Sequence, residues 1–257
     1  MGANAGLKNI GFRQGLYDIS STAKEALGTK RITNDGRIFR YAKAGASALA
    51  AGKMGVAAAI DAAHMDETGC IATPIGSRNV TLTVTAGTAI VENQLAGGYL
   101  HINDNVGEGY QYPIVSNSAI SASGTSIVVT LETGLKVALT TASDFTLVHS
   151  PWYGVTESAV EESMPVGVAP VVVTAAYYYW AQTGGVAICL TAGTPAVGAN
   201  VTLGGVAGSV TGCLNTMTLT SATYTITALH LQPIVGYVFG TAGKNTEYNP
   251  IFLTMDS

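Results

Sequence analysis

The chain has 257 residues, with 12 Lys and Arg against 16 Asp and Glu and a net charge of −4. Only 11% of residues are charged and 47% are hydrophobic, whereas soluble domains average about 25% charged. The balance points to surface that is hidden against partners or coated with Thr and Ser. At this length one large all-β domain or two smaller ones fit, and roughly 70% of the unfolded surface is buried on folding, enough for a sizeable core.

Residues 1–34 show no sustained hydrophobic period and read as an extended N-terminal arm that orders on contact with a partner. Within it, residues 19–27 are the one stretch with helical character, with Ser20 or Ser21 as cap. Charge is distributed unevenly. Residues 1–60 carry nine Lys or Arg against three acids, and residues 61–257 carry three bases (Arg78, Lys136, Lys244) against thirteen acids. Such asymmetry favours docking of the arm on an acidic surface, for example the body of a neighbouring copy. Nucleic acid is not favoured, because the bases never cluster beyond Lys30-Arg31.

Residues 35–45, Asp35-Gly36-Arg37-Ile38-Phe39-Arg40-Tyr41-Ala42-Lys43-Ala44-Gly45, read as a strand with mixed faces. Arg37, Phe39, Tyr41 and Lys43 share one side by the period of two, and Ile38, Arg40, Ala42 and Ala44 the other. Two readings are open: a strand contacted on both sides by a partner, and an edge strand whose Arg and Lys stems snorkel to water. On the first, Lys8, Arg13, Lys30, Arg31, Arg37, Phe39, Arg40, Tyr41 and Lys43 form the subunit or partner interface. Removing residues 1–34 is then expected to abolish binding to the partner while leaving the body folded.

After this strand the Ala-rich residues 46–63 raise helix propensity, against which Gly52 and Gly55 each cost about 1 kcal/mol; a helix fits residues 56–64. From Gly69 the alternation is that of strands. Residues 81–85, 89–91, 99–102, 110–115, 126–131, 136–139 and 145–148 are expected strands, with a hairpin loop at 103–110 in which Gly107 and Gly109 supply positive φ. Strands at this spacing point to a β-barrel or sandwich. The acidic run at 157–165 is the expected linker, separating a β domain at 35–156 from a second at 166–257. In the second, strands are expected at 169–174, 177–182, 186–190, 216–219, 224–229, 234–239 and 251–253.

Chemistry-bearing motifs are sparse. Cys70, Cys189 and Cys213 are too few and too widely spaced for a disulfide framework or zinc site, and their odd number fits a reducing compartment. His64, His101, His149 and His230 show no metal-ligand spacing, and no nucleophile elbow, phosphate loop or dinucleotide fingerprint occurs. No catalytic residue, metal or cofactor is therefore expected. Asn103, Asp104, Asn105 and Glu108 offer oxygens either to an ion or, more simply, to an Asx turn. Glu157, Glu161 and Glu162 read as a solvated or arm-binding surface. The densest aromatic group is Tyr177-Tyr178-Tyr179-Trp180. On a strand one of its two pairs faces the core, and Tyr178 with Trp180 is the candidate for a subunit contact or a glycan-stacking platform. Residues 163–243 hold no charged side chain, yet Gly, Pro and Thr punctuate them too often for a membrane helix. Met1 to Tyr17 lacks a signal-peptide core. The expectation is a soluble protein made in a cytoplasm.

Four stretches together carry a family likeness. Asp35-Gly36-Arg37-Ile38-Phe39-Arg40-Tyr41-Ala42 with Ala48-Leu49-Ala50-Ala51-Gly52-Lys53 resembles the start of a group of tailed-bacteriophage virion proteins. So do Gly97-Gly98-Tyr99-Leu100-His101-Ile102-Asn103-Asp104 with Gly107-Glu108-Gly109-Tyr110, Tyr178-Tyr179-Trp180-Ala181-Gln182-Thr183-Gly184-Gly185, and the ending around Pro233-Ile234-Val235-Gly236-Tyr237 and Glu247-Tyr248. The resemblance implies a capsid decoration or cement protein: non-enzymatic, β-rich, frequently trimeric, bound to the major capsid protein at the virion surface. Its rivals are a head or tail fibre component and a carbohydrate-binding adhesin. Two β units depart from the smallest decoration proteins.

Overall fold

The computed structural model describes residues 11–157, 163–204, 211–216, 233–240 and 246–256. In chain order the strands are β1 (Lys30–Ile32), β2 (Ile38–Lys43), β3 (Met54–Val56), β4 (Glu67–Thr68), β5 (Asn79–Thr83), β6 (Tyr99–Asp104), β7 (Gln111–Asn117) and β8 (Ser126–Leu131). They continue with β9 (Asp144–Val148), β10 (Thr156–Glu157), β11 (Pro165–Val168), β12 (Tyr178–Thr191), β13 (Asn200–Leu203), β14 (Leu214–Thr216), β15 (Gly236–Val238) and β16 (Glu247–Thr254). The expected mainly-β class is what the chain adopts. The helix expected at 56–64 is a single 3₁₀ turn at Ala62–His64 capped by Asp61, and residues 19–27 form turns. No helix among the described residues is long and apolar enough to cross a membrane.

The chain divides into two compact units, residues 1–57 with 154–257, and residues 58–153. This division differs from the expected one at 157–165. The change in charge there is not a change of fold, because β3 pairs with both β10 and β11, and β2 pairs with β12. Residues 35–57 thus belong with the C-terminal strands. Glu157, expected in a linker, is instead held by the Ala50 N–H (2.6 Å) and Lys53 Nζ (2.9 Å).

The first unit is organised around β12, whose 14 residues serve two structures in succession. Its first half pairs with β2, Tyr178 opposite Lys43 through Gln182 opposite Phe39. Its second half pairs with β16, Gly184 opposite Thr254 through Thr191 opposite Glu247. The ring β12-β14-β13-β15-β16 then returns to β12 and closes a five-stranded barrel. Ala187, Cys189, Val201, Leu203, Leu214, Val238, Ile251 and Leu253 fill its interior. Sequence reading expected two strands broken at Gly184-Gly185; the glycines are where one strand changes partner. Gly185 has φ +77°, and a Cβ on Gly184 would lie 2.9 Å from the Asp256 carbonyl oxygen, so both positions exclude a side chain.

The second unit is a curled six-stranded sheet in the order β4-β9-β6-β7-β8-β5. Just past β4 the chain reaches β5 through a bridge between Cys70 and Leu82 and a bond from Ile71 N–H to Thr81 C=O (3.1 Å). One face of β5 to β9 encloses Val80, Leu82, Leu100, Ile102, Ile127, Val129, Phe145 and Leu147, as the alternation requires. The hairpin expected at 103–110 is present, with Gly107 and Gly109 at φ +93° and +78°. The strand expected at 136–139 is only a bridge between Leu139 and Thr73. The strand expected at 224–229 lies outside the described residues.

Candidate functional site

The expected interface residues lie on β1, on β2, in the turn between them and in the segment before them, and most of them are engaged within the chain. Lys8 is outside the described residues. Phe39, Tyr41 and Trp180 are wholly buried and form one cluster, against which Phe12, Leu16, Leu27 and Tyr178 pack. The segment from residue 11 onwards thus covers the β2–β12 face instead of extending away from it. Gln14 fastens the cover: its backbone carbonyl accepts from Trp180 Nε1 (3.2 Å) and Arg31 Nη1 (3.1 Å). Its side-chain oxygen accepts from the Tyr41 hydroxyl (2.6 Å), and its amide nitrogen donates to the Asp18 and Tyr178 carbonyls. Arg31 is buried between the rings of Phe12 (5.0 Å) and Trp180 (5.5 Å), and burial lowers its basicity.

These contacts account for the mixed faces of residues 35–45 without a partner. Arg37 Nε donates to Asp35 Oδ2 (2.7 Å) and Nη1 to the Tyr17 hydroxyl (3.0 Å). Arg40 makes a two-bond pair with Asp256 (2.7 and 2.8 Å), and its Nη1 donates to the Gly28 carbonyl. Lys43 sits 5.4 Å over the Tyr178 ring. Phe39, Tyr41 and Arg31 therefore have no side-chain surface left for a partner while residues 11–34 stay docked. Arg13 and Lys30 are exposed. Trp180, at 0% exposure, offers no free ring face for stacking, and Tyr178 is half-buried against Tyr41 (5.8 Å, 11° between planes).

What lies open is the outer wall of the barrel. By strand register Phe252 stands opposite both Val186 and Tyr237, and Ile188 stands opposite Pro250. Tyr248 and Phe239 continue the same face. Ile188 is 55% exposed, Phe252 45% and Phe239 62%. The four aromatic side chains alone present about 400 Å² of apolar surface, the size of patch that is often functional on a monomer. The face contains no charged side chain among these residues. It runs into a groove of about 440 Å³ bordered by Tyr17, Arg37, Pro170, Val186, Ile188 and Tyr248. Sequence reading placed strands at 186–190 and 251–253 but not this surface. Its signal was available: β12 is apolar at both parities after Gly185, a pattern ordinarily read as burial on both faces.

Groups able to carry chemistry are scattered or occupied. All three cysteines are buried free thiols, and burial pushes Cys70 up to about 11. Burial also raises the Tyr179 phenol, with Glu157 adding to the shift. Asn103 and Asn105 donate across to β9, to Thr146 Oγ1 (2.6 Å) and Asp144 Oδ2 (3.1 Å). Among the described residues no group of three or more His, Cys, Asp or Glu is placed to hold a metal. The second unit carries eight acids against Arg78 and Lys136, so the acidity of the chain is concentrated there. Compared with protein-family models, curated proteins and solved structures, the chain matches none of them.

Proposed function

We propose that this chain is a non-enzymatic structural protein of a virus particle, a decoration or cement protein that binds the capsid surface of a tailed bacteriophage and acts by burying surface. The observation that carries this reading is the uncharged apolar wall of β12, β15 and β16. A protein that works by adhesion needs such a face, and one of this size is costly to leave against water. The likeness of the four sequence stretches to phage virion proteins points the same way, and it implies the major capsid protein and further copies of this chain, three together, as partners. Docking then uses the barrel wall, with the cations of residues 31–40 serving the fold of the chain itself. The glycan-binding alternative rested on the Tyr177–Trp180 cluster and the all-β reading, and with Tyr179 and Trp180 buried it keeps only the half-exposed rings of Tyr177 and Tyr178. The acidic second unit disfavours nucleic acid.

The experiment is reconstitution. Particles lacking this protein are incubated with purified chain, sedimented, and the bound copies counted against the major capsid protein. The expected result is a fixed ratio for the wild type and a loss of roughly tenfold or more in affinity for Phe252→Asp, which places a charge in the buried centre of a contact. Absence of the wild-type chain from sedimented particles would overturn the reading.

A further inference from the structure

We infer that the edge of β12 at Val186–Ile188 is a peptide-binding site, taking a short, uncharged, extended segment of another polypeptide by strand addition. The register of β12 with β16 is unbroken from Gly184 to Thr191, so backbone groups alternate between the two edges of the strand. Leu190 N–H donates to Gly52 C=O (2.8 Å) and Ala192 N–H to Leu214 C=O (2.7 Å), so even-numbered residues face away from β16. On that edge the Gln182 amide nitrogen donates to the carbonyls of Gly184 (3.1 Å) and Val186 (2.9 Å). A side chain stands there in the place of a neighbouring strand. Beyond it the N–H groups of Val186 and Ile188 and the carbonyl of Ile188 have no hydrogen-bond partner among the described residues.

The strand that should lie there is diverted. Val168 pairs with Gln182, but Ala169 turns to Gly52 and Lys53, accepting from Gly52 N–H (2.8 Å) and donating to Lys53 C=O (3.1 Å). The groove of about 440 Å³ is the resulting gap, within the range of ligand sites. It is closed at one end by the Val168–Gln182 pairing and at the other by the Leu190–Gly52 bond, so only a few residues of a visitor can pair. Two donors and an acceptor at strand spacing match a peptide backbone. The one ionic side chain on the groove, Arg37, is already paired with Asp35, so charge complementarity favours a neutral segment. Val186, Ile188 and Pro170 supply apolar walls, and Tyr17 and Tyr248 flank the opening.

The site goes beyond the capsid reading and its test needs no particle, so either can fail alone. Because main-chain bonds supply the affinity, a generic probe suffices: an acetylated, amidated tetrapeptide alternating valine and threonine, titrated into the intact chain and followed by amide NMR and hydrogen exchange. The Val186 and Ile188 amides should exchange fast without the peptide, shift on titration and become protected. Ile188→Pro removes one donor on an edge where proline is tolerated, and should weaken binding about tenfold relative to Ile188→Val. A peptide methylated on its backbone nitrogens supplies the same comparison should the proline variant fail to fold. Protection of both amides without peptide, absence of shifts at saturating probe, or equal binding of the methylated peptide would each overturn the proposal.

Discussion

Gln14 shows how much of this protein turns on single residues that no pattern singles out. One amide side chain and one carbonyl bind Trp180, Tyr41, Arg31, Asp18 and Tyr178 at once. The aromatic cluster was legible in the sequence, and so was the oddity of cations interleaved with rings on β2. What covers them was not, because a glutamine between Arg13 and Gly15 carries no periodicity. The Arg40–Asp256 pair was equally hidden, its partners standing at opposite ends of the sequence. Arg40 holds the Asp256 carboxyl below the usual carboxylate range, against the opposing effect of burial, and Thr183 Oγ1 donates to the same carboxylate (3.0 Å). A carboxyl whose folded pKa is depressed contributes stability that is complete above its unfolded pKa, about pH 4, and is lost as pH falls through the lower folded value. Asp256→Asn should therefore cost about 2 kcal/mol at pH 7. In urea titrations the gap between variant and wild type should narrow only below about pH 4. A gap that persists unchanged at pH 2 would mean that the pair is not its source.

Among the elements, β12 and the segment that leads to β1 departed furthest from expectation. Strand propensity was read correctly on both sides of Gly184-Gly185, but glycine pairs ordinarily mark turns. Only the tertiary partners, β2 before and β16 after, reveal that the strand runs through. Residues 1–34 read as an arm because they lack enough apolar residues for a core of their own, yet their described part, from residue 11, is docked. This part needs only Phe12, Leu16 and Leu27, since the rest of the core is supplied by Phe39, Tyr41 and Trp180. Deleting residues 11–28 should then do more than free the body of a tail. The expected result is a red shift of tryptophan emission as Trp180 meets water, with a loss of about 3 kcal/mol or more from the uncovered apolar surface. Unchanged emission and an unchanged urea midpoint would restore the independent arm.

At the scale of the whole molecule, charge and fold partition the chain differently. The sequence places a boundary where the charge-free stretch begins, near 157–165, while the units divide at 57 and 154. A discontinuous unit leaves no local mark: residues 35–57 look like the start of the β-rich stretch next to them in sequence, and their partners lie more than a hundred residues on. The second unit begins and ends close together, with His149 Nε2 hydrogen-bonded to the Ala59 carbonyl (3.2 Å). Val56 stands directly opposite Thr156, so β3 and β10 form a hairpin in which residues 58–153 occupy the position of a turn. Residues 58–153 alone should fold, with a cooperative thermal transition. The remainder, closed by an Asn-Gly turn between Ala57 and Gly154, should keep the blue-shifted emission of Trp180, the only tryptophan left. A molten fragment or a red-shifted remainder would show that the units depend on each other to fold.

The same hairpin is the last guard of the insertion against mechanical load. Tension applied between residues 11 and 256 crosses from one side of the insertion to the other first through the Arg40–Asp256 pair and the β2–β12 pairing, and reaches the paired β3 and β10 only after those part. Residues 58–153 lie outside that path, as a side loop lies outside a taut rope. They come under load only after Gly55 has parted from Glu157, Val56 from Thr156, and Val155 from Lys43 and Gly45, with β11 holding β3 from its far side. A chain fastened by its first unit would thus carry its second unit unstretched, to be drawn out only after the fastening itself has begun to open.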